Sequence, residues 1–204
     1  MGQLELFDSE EIVLVDGAGG RVVYAPGFVD ATTAQRWFDE LRRGVEWRGQ
    51  RRMMYDREVD VPRLLGGFRL DPPDVSAPRA ILDARDRVVA RLGVPFNAVG
   101  LNRYRDGRDS VAPHNDHLNE IREGFPIALV SLGATRRMVV REKQPPRRAV
   151  QIDLEAGSLF VMDYQTQLHY THGVPKTTAA VGERISLAFR VKHPTRESGG
   201  TVYK

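Results

Sequence analysis

The spacing of hydrophobic residues separates a helical N-terminal part of the chain from a strand-rich C-terminal part. Two early segments carry apolar residues every three or four positions, which is typical of amphipathic helices. Asp30 is a candidate N-cap of the first helix, and Gly93 is a candidate stop signal for the second, which starts near Pro78. The apolar face of the first helix holds Ala34, Trp37, Phe38 and Leu41. The pattern therefore predicts two helices that share one core surface.

From Pro95 onward, short runs of Val, Ile, Leu and Phe are separated by Gly, Asp and Pro. Such runs are typical of strands in a sandwich, a barrel or a jelly roll. The strand-like runs are FNAVGLNRY, IALVSLG, RMVVRE, AVQIDL, SLFVMD and RISLAFRVK, with EIVLVD ahead of the first helix. The sequence predicts an α+β protein that is mainly β, with the two helices packed on one sheet.

Composition limits the compartment and the metal chemistry. With 204 residues, 41% of them hydrophobic and 28% charged, we expect one globular domain over residues 1–204. No apolar run is long enough to span a membrane, and the N-terminus lacks the pattern of a secretory signal, so a cytoplasmic protein is expected. Because the chain has no cysteine, any metal must be bound by His, Asp or Glu.

Positive charge is concentrated in two stretches, although the net charge is only +3. Residues 42–52 hold five Arg against one Glu, and residues 136–148 hold six Lys or Arg against one Glu. Either stretch alone is typical of a solvated face. Together, and with Trp47 and the run Met53, Met54 and Tyr55 nearby, they favour a surface that contacts phosphates and stacks on bases.

The segment HNDHLNE contains a candidate metal site. His114 and Asp116 are two residues apart, so on an extended strand both point to one face. Such a pair alone is more often structural or simply exposed. A third ligand is offered by His169 or His172, and two His with one carboxylate form the facial triad of non-haem Fe(II) oxygenases.

The run ERISLAFR adds a second chemical signal. Its period of two places one set of residues on a common face, namely Arg184, Ser186, Ala188 and Arg190. Two guanidinium groups inside a small barrel need anions to neutralise them, and a dicarboxylic cosubstrate would supply these. The alternative is that both Arg side chains project into solvent.

The combined motifs resemble the AlkB-type Fe(II)- and 2-oxoglutarate-dependent dioxygenases, which repair alkylated bases. The family pattern Asn-x-Tyr-x-x-Gly-x-Asp followed by His-x-Asp is present as NRYRDGRDSVAPHND, and a distal His and the paired Arg follow it. The resemblance covers roughly Val45 to Lys192. It implies a double-stranded β-helix, or jelly roll, with residues 45–70 as a nucleotide-recognition lid and residues 193–204 as a loose tail.

The resemblance also implies the roles of individual residues. His114, Asp116 and His172 would bind Fe(II), which leaves His169 structural. The residues implied to bind 2-oxoglutarate are Asn102, Tyr104, Arg184, Ser186 and Arg190. Those implied to contact the base are Met53, Tyr55, Arg63, Phe68 and Glu120, with Phe68 as the stacking residue. In the alternative interpretation, Met53, Met54 and Phe68 are core residues that cover the barrel mouth.

The implied activity is oxidative demethylation of bases such as 1-methyladenine and 3-methylcytosine in DNA or RNA. Dioxygen and 2-oxoglutarate would be consumed, and formaldehyde, succinate and CO2 released by a monomeric protein. Three departures from the family pattern affect the expected substrate. His117, Leu118 and Asn119 stand where the family carries an acidic residue. Gly67 and Phe68 replace a Trp-Tyr run, and Ser186 replaces Asn.

Two other functions are compatible with these departures. The first is a dioxygenase of the same chemistry that acts on RNA, a protein side chain or a small metabolite. The second is a non-catalytic nucleic-acid-binding module on the same barrel, which would use the two Arg-rich stretches.

Overall fold

The computed structural model describes residues 11–54 and 57–193, and for residues 52–54 and 57–59 only the backbone. Three helices are described, α1 (Ala31–Gly44), α2 (Arg79–Leu92) and α3 (Tyr164–His169). The first strands are β1 (Ile12–Gly17), β2 (Gly20–Ala25), β3 (Arg51–Met54), β4 (Arg57–Asp60) and β5 (Leu64–Arg69). The remaining strands are β6 (Ala98–Tyr104), β7 (Val111–His114), β8 (Ile127–Gly133), β9 (Arg136–Glu142), β10 (Ala149–Leu154), β11 (Leu159–Met162), β12 (Tyr170–Val174) and β13 (Arg184–Arg190).

The strands form two facing antiparallel sheets and a separate hairpin. The major sheet has the order β1-β2-β11-β8-β13-β6-β5, the minor sheet has the order β10-β9-β12-β7, and β3 pairs with β4 alone. From β6 to β13 the chain alternates between the two sheets except at the β9–β10 hairpin, which is the winding of a jelly roll. The predicted double-stranded β-helix is confirmed, and β2 and α3 are elements that the sequence pattern had not indicated.

Two apolar cores lie on the two sides of the major sheet. The first packs both long helices against that sheet and includes Trp37, Leu41 and Ile81, which are 0% exposed. The second fills the barrel between the sheets and includes Tyr104, Met138 and Phe160. The predicted packing of the two helices on one sheet is therefore confirmed.

The helix boundaries follow from local capping. Asp30 accepts a hydrogen bond from the Thr33 backbone N–H at 2.8 Å, as its predicted N-cap role requires. Gly93 ends α2 in the left-handed conformation, with φ of 65°. No side-chain cap precedes α2, whose N-cap position is Pro78. In the part of the chain that the structure describes, no helix is long and apolar enough to cross a membrane.

Candidate active site

The strand register brings together three candidate metal ligands. His114 ends β7 and lies directly opposite His172 of β12 in the antiparallel ladder. Asp116 follows β7 by two residues and is 7% exposed. The ligand atoms of the three side chains all lie within 4.8 Å of one another. Since metal–ligand bonds to His and Asp are about 2.0–2.2 Å long, this grouping can close on a single ion. His169 is exposed at the end of α3 and is not a member of the group.

Burial and neighbouring charges set protonation states that suit a cation. Burial, with a smaller contribution from the adjacent His114, lowers the pKa of His172 to about 3. Burial also lowers the pKa of His114. For Asp116, burial opposes ionisation, but the Arg190 guanidinium outweighs it and holds the pKa at about 2. At neutral pH the site therefore offers two neutral imidazoles and one carboxylate, which is the state that binds a divalent metal.

Neighbouring groups orient the first histidine and the carboxylate. The His114 Nδ1 atom lies 3.0 Å from the Ala112 carbonyl oxygen, which can only accept, so Nδ1 carries the proton and Nε2 is left for a metal. The Arg190 Nε–H donates to Asp116 Oδ2 at 2.6 Å. Arg190 therefore neutralises the metal-site carboxylate itself, whereas the sequence pattern predicted that both Arg required external anions.

Arg184 is a buried guanidinium with unpaired hydrogen-bond donors. It is 1% exposed, and its Nη2 group donates to Ser131 Oγ at 2.9 Å. Among the described residues, its Nε and Nη1 groups have no hydrogen-bond partner. Its guanidinium carbon lies 5.2 Å from the centre of the Tyr104 ring. Because a buried cation with orphaned donors is costly, this geometry fits a carboxylate that arrives with a bound cosubstrate.

Five polar residues of β13 and β6 lie on the inner face of the barrel, namely Asn102, Tyr104, Arg184, Ser186 and Arg190. Ser186 is directly opposite Asn102 on one side and Ser131 on the other, and Arg184 is opposite Tyr104. The alternative, in which the Arg side chains project into solvent, is wrong because both faces of β13 are buried. Asn102 Oδ1 accepts from Arg63 Nε at 2.7 Å.

Arg136 is a buried member of this region that the sequence pattern missed. It is 3% exposed, and its guanidinium donates to the carbonyl oxygens of Asp106, Asp109 and Pro175. It lies 5.5 Å from the centre of the Tyr104 ring. In the sequence, the burial of Arg136 could have been inferred only from its position at the start of a strand, next to the outward-facing Arg137. The predicted basic surface of residues 136–148 therefore begins after Arg136.

A cleft of about 790 Å³ opens beside the metal site. Its walls include His114, Asp116 and His117. The cleft is also lined by the last residue of β4 and the three that follow it, namely Asp60, Val61, Pro62 and Arg63. Two exposed cations, Arg141 and Lys176, also line it. The cleft therefore joins two of the three candidate ligands, His114 and Asp116, to part of the predicted lid and to positive charge.

The predicted base-contacting residues are only partly brought to this cleft. Arg63 lines it. Glu120 lies outside its lining, and its carboxylate pairs with Lys192 at 2.9 Å. The side chain of Met53 and the whole of Tyr55 lie outside the described residues.

The prediction that Phe68 stacks on the base is wrong. Phe68 is directly opposite Val99 and packs with it against the helix-facing core, on the opposite side of the major sheet from Asn102. The alternative interpretation of Phe68 as a core residue is the one that the structure supports. Trp47 also packs on this core and donates its indole N–H to the Leu41 carbonyl oxygen, so it is not a free stacking surface.

The fold and the site together define a class of protein. A jelly roll whose minor sheet presents two neutral His and one Asp, with a buried Arg ready for a carboxylate, has the architecture of a mononuclear non-haem iron oxygenase. Residues 21–190 match the family model of the 2OG-Fe(II) oxygenase superfamily. The chain belongs to this superfamily and, within it, to the AlkB-type dioxygenases, whose cofactors are Fe(II) and 2-oxoglutarate. The predicted family and cofactors are thus confirmed.

Individual relatives show how far the similarity extends. The alpha-ketoglutarate-dependent dioxygenase alkB homolog 3 of Bos taurus is 31% identical over 191 residues, which are 85% of this chain and 67% of the relative. The DNA oxidative demethylase ALKBH2 of Bos taurus is 41% identical over 118 residues, 54% of this chain but only 42% of the relative. An oxidoreductase of the 2OG-Fe(II) oxygenase family from Burkholderia pseudomallei has the same fold, with a TM-score of 0.56 and 16% identity over 83% of this chain and 84% of that one.

Proposed function

We propose that the protein removes methyl groups oxidatively from N-methylated bases, such as 1-methyladenine and 3-methylcytosine, in DNA or RNA. The observation that carries this proposal is the cleft beside the candidate metal ligands, which joins the metal site to exposed cations. The similarity to alkB homolog 3 and to a DNA oxidative demethylase supports the same substrate class. Dioxygen is the second cosubstrate, and the working unit is a monomer.

In this proposal, the residues of the barrel hold the reactants in fixed positions. Fe(II) and 2-oxoglutarate, when bound, would activate dioxygen, so that one oxygen atom enters succinate as CO2 is released and the other oxidises the methyl group, which leaves as formaldehyde. His114, Asp116 and His172 would hold the Fe(II) ion. Arg184, helped by Ser131 and Tyr104, binds the distal carboxylate of 2-oxoglutarate. Its planar guanidinium suits that task because it can donate two parallel hydrogen bonds.

The metal-proximal end of the cosubstrate meets a different set of residues. Asn102 and Ser186 are opposite each other on the inner face of the major sheet and bind near this end of 2-oxoglutarate. Arg190 stays on Asp116, so its contribution is to keep the carboxylate ionised and aimed at the metal. This division leaves Arg184 as the main anion receptor of the barrel.

In the proposal, the cleft binds the nucleic acid. Arg141 and Lys176 are exposed, and among the described residues neither has an ion-pair partner, so both are available to phosphates. The proposed lid, within residues 45–70, contributes Arg63 and the preceding Asp60, Val61 and Pro62 to the lining of the cleft. His117 lines the cleft where the family carries an acid, which reduces the expected preference for cationic lesions.

The test is a reaction of the full chain with Fe(II), 2-oxoglutarate and an oligonucleotide that carries one 1-methyladenine or 3-methylcytosine. We expect the oligonucleotide to lose the mass of one methylene as succinate accumulates. If the oligonucleotide mass is unchanged while succinate is released, the substrate is instead a protein side chain or a small metabolite. Absence of Fe(II) binding, with salt-sensitive binding to the oligonucleotide, would indicate a non-catalytic module.

Charge-reversal variants test the phosphate contacts separately. Arg141→Glu and Lys176→Glu should each weaken oligonucleotide binding and reduce the slope of log affinity against log salt by about 1. Arg36→Glu is the matched control, because Arg36 is an exposed cation on α1, away from the cleft. Equal effects of all three variants would contradict a contact in the cleft.

A further inference from the structure

The short helix α3 contains a buried polar residue that the sequence pattern did not single out. The helix joins β11 to β12, and Asp163 caps it by accepting the Thr166 N–H at 2.9 Å. Gln167, in the middle of this helix, is 1% exposed. A buried carboxamide is costly unless its oxygen and its nitrogen both find partners. The partners of Gln167 therefore indicate its role.

The carboxamide oxygen of Gln167 faces the metal site. The backbone N–H of Asp116 donates to Gln167 Oε1 at 3.0 Å. The Nε2 group donates to Thr166 Oγ1 at 3.0 Å and approaches Met162 Sδ at 3.9 Å. The Thr166 hydroxyl donates to the Asp163 carbonyl oxygen at 2.7 Å, so it must accept from Nε2. This chain of bonds fixes which end of the amide points at Asp116.

The main chain of Asp116 needs a hydrogen bond from outside the sheet because Asp116 lies beyond the paired residues of β7 and β12. Strand β7 ends at His114, and the pairing between β7 and β12 covers residues from Val111 to His114. The Asp116 carboxylate is held by Arg190, but that bond alone leaves the backbone of the residue free to turn. The bond to Gln167 fixes the main chain of Asp116 to α3, which is followed directly by β12 and its ligand His172.

We propose that Gln167 is a positioning residue of the metal site, which fixes the Asp116 main chain relative to His172. One continuous segment, residues 163–172, then supplies one ligand and aligns a second. The inference rests on the superfamily's iron site and not on the proposed nucleic-acid substrate. Hydrogen-bond partners of metal ligands typically affect metal affinity by about 10- to 100-fold.

The test measures binding of Mn(II) as a redox-stable substitute for Fe(II). The full chain is stripped with a chelator and titrated with Mn(II) by calorimetry, without 2-oxoglutarate or oligonucleotide. We expect Gln167→Met, which keeps the length of the side chain but removes the acceptor, to raise the Kd for Mn(II) about tenfold. Because no substrate is present, failure of the demethylation test would leave this result unaffected.

The control is Lys143→Met. The Lys143 Nζ group donates to the main-chain carbonyl oxygen of Gln167 at 2.7 Å, so its loss loosens α3 without touching Asp116. We expect this variant to lower the thermal midpoint but to keep the wild-type Kd for Mn(II). The proposal is overturned if Gln167→Met binds Mn(II) like the wild type, or if Lys143→Met weakens binding as much.

A second variant keeps the proposal testable if Gln167→Met does not fold. Thr166→Val removes the hydroxyl that orients the Gln167 amide and leaves the acceptor in place. We expect a smaller increase in the Kd for Mn(II), about threefold, because the carboxamide becomes free to rotate. A wild-type Kd in this variant would contradict the orienting chain from Asp163 to Asp116.

Discussion

Replacing Arg184 by Met should stabilise the ligand-free protein and abolish binding of 2-oxoglutarate. In the folded chain, the Nε and Nη1 groups are buried without partners, and each orphaned donor costs about 1–3 kcal/mol. The substitution also loses the bond to Ser131, worth about 1.5–3 kcal/mol for a charged donor, and the contact with the Tyr104 ring, worth about 1 kcal/mol. Met fills a similar volume without a charge. The net expectation is a gain of about 1 kcal/mol in the free energy of unfolding, or about 2–4 °C in the thermal midpoint.

The assay for this prediction compares urea unfolding of the metal-free variants with calorimetric titration of 2-oxoglutarate in the presence of Mn(II). Arg136→Met is the matched control. It also removes a buried guanidinium, but this one donates hydrogen bonds to three carbonyl oxygens. The control should lose about 3 kcal/mol or more, since it leaves carbonyl groups unpaired. If Arg184→Met destabilises the ligand-free protein as much as Arg136→Met, or still binds 2-oxoglutarate, the assignment of an unpaired anion receptor is refuted.

Three further predictions concern the metal site and the loops around it. His172→Ala should abolish turnover and Mn(II) binding with little change in circular dichroism, whereas His169→Ala should keep both; activity in the first variant would show that another group binds the metal. Chelation should lower the thermal midpoint of the loaded protein, and added Mn(II) should restore it, because a ligand that binds only the folded state stabilises that state; a midpoint independent of metal would argue against the site. Gly107→Ala should cost about 2 kcal/mol in urea unfolding, since its Cβ would lie 2.5 Å from the Thr177 carbonyl oxygen; an unchanged midpoint would mean that the two loops separate easily.

The sequence by itself determined most of the elements and the residue types of the site. The period of two in residues 184–190 identified the face shared by Arg184 and Arg190, and the structure confirms that face. The spacing of His114 and Asp116 likewise identified two candidate ligands. The face of β13 could be predicted because side-chain direction along a strand depends only on local backbone geometry. Asp116 lies beyond the end of β7, so its place beside His114 also depends on contacts outside the strand.

Tertiary structure alone decided which groups meet. Phe68 was placed on the helix side by the register between β5 and β6, and a shift of one residue would have placed it on the other face. Arg190 found its anion in Asp116, 74 residues away, and Gln167 found Asp116 at a separation of 51 residues. Such pairings arise from the winding of the two sheets, so no local pattern in the chain encodes them. The sequence specified what each segment could contribute, and the packing of the sheets determined its partner.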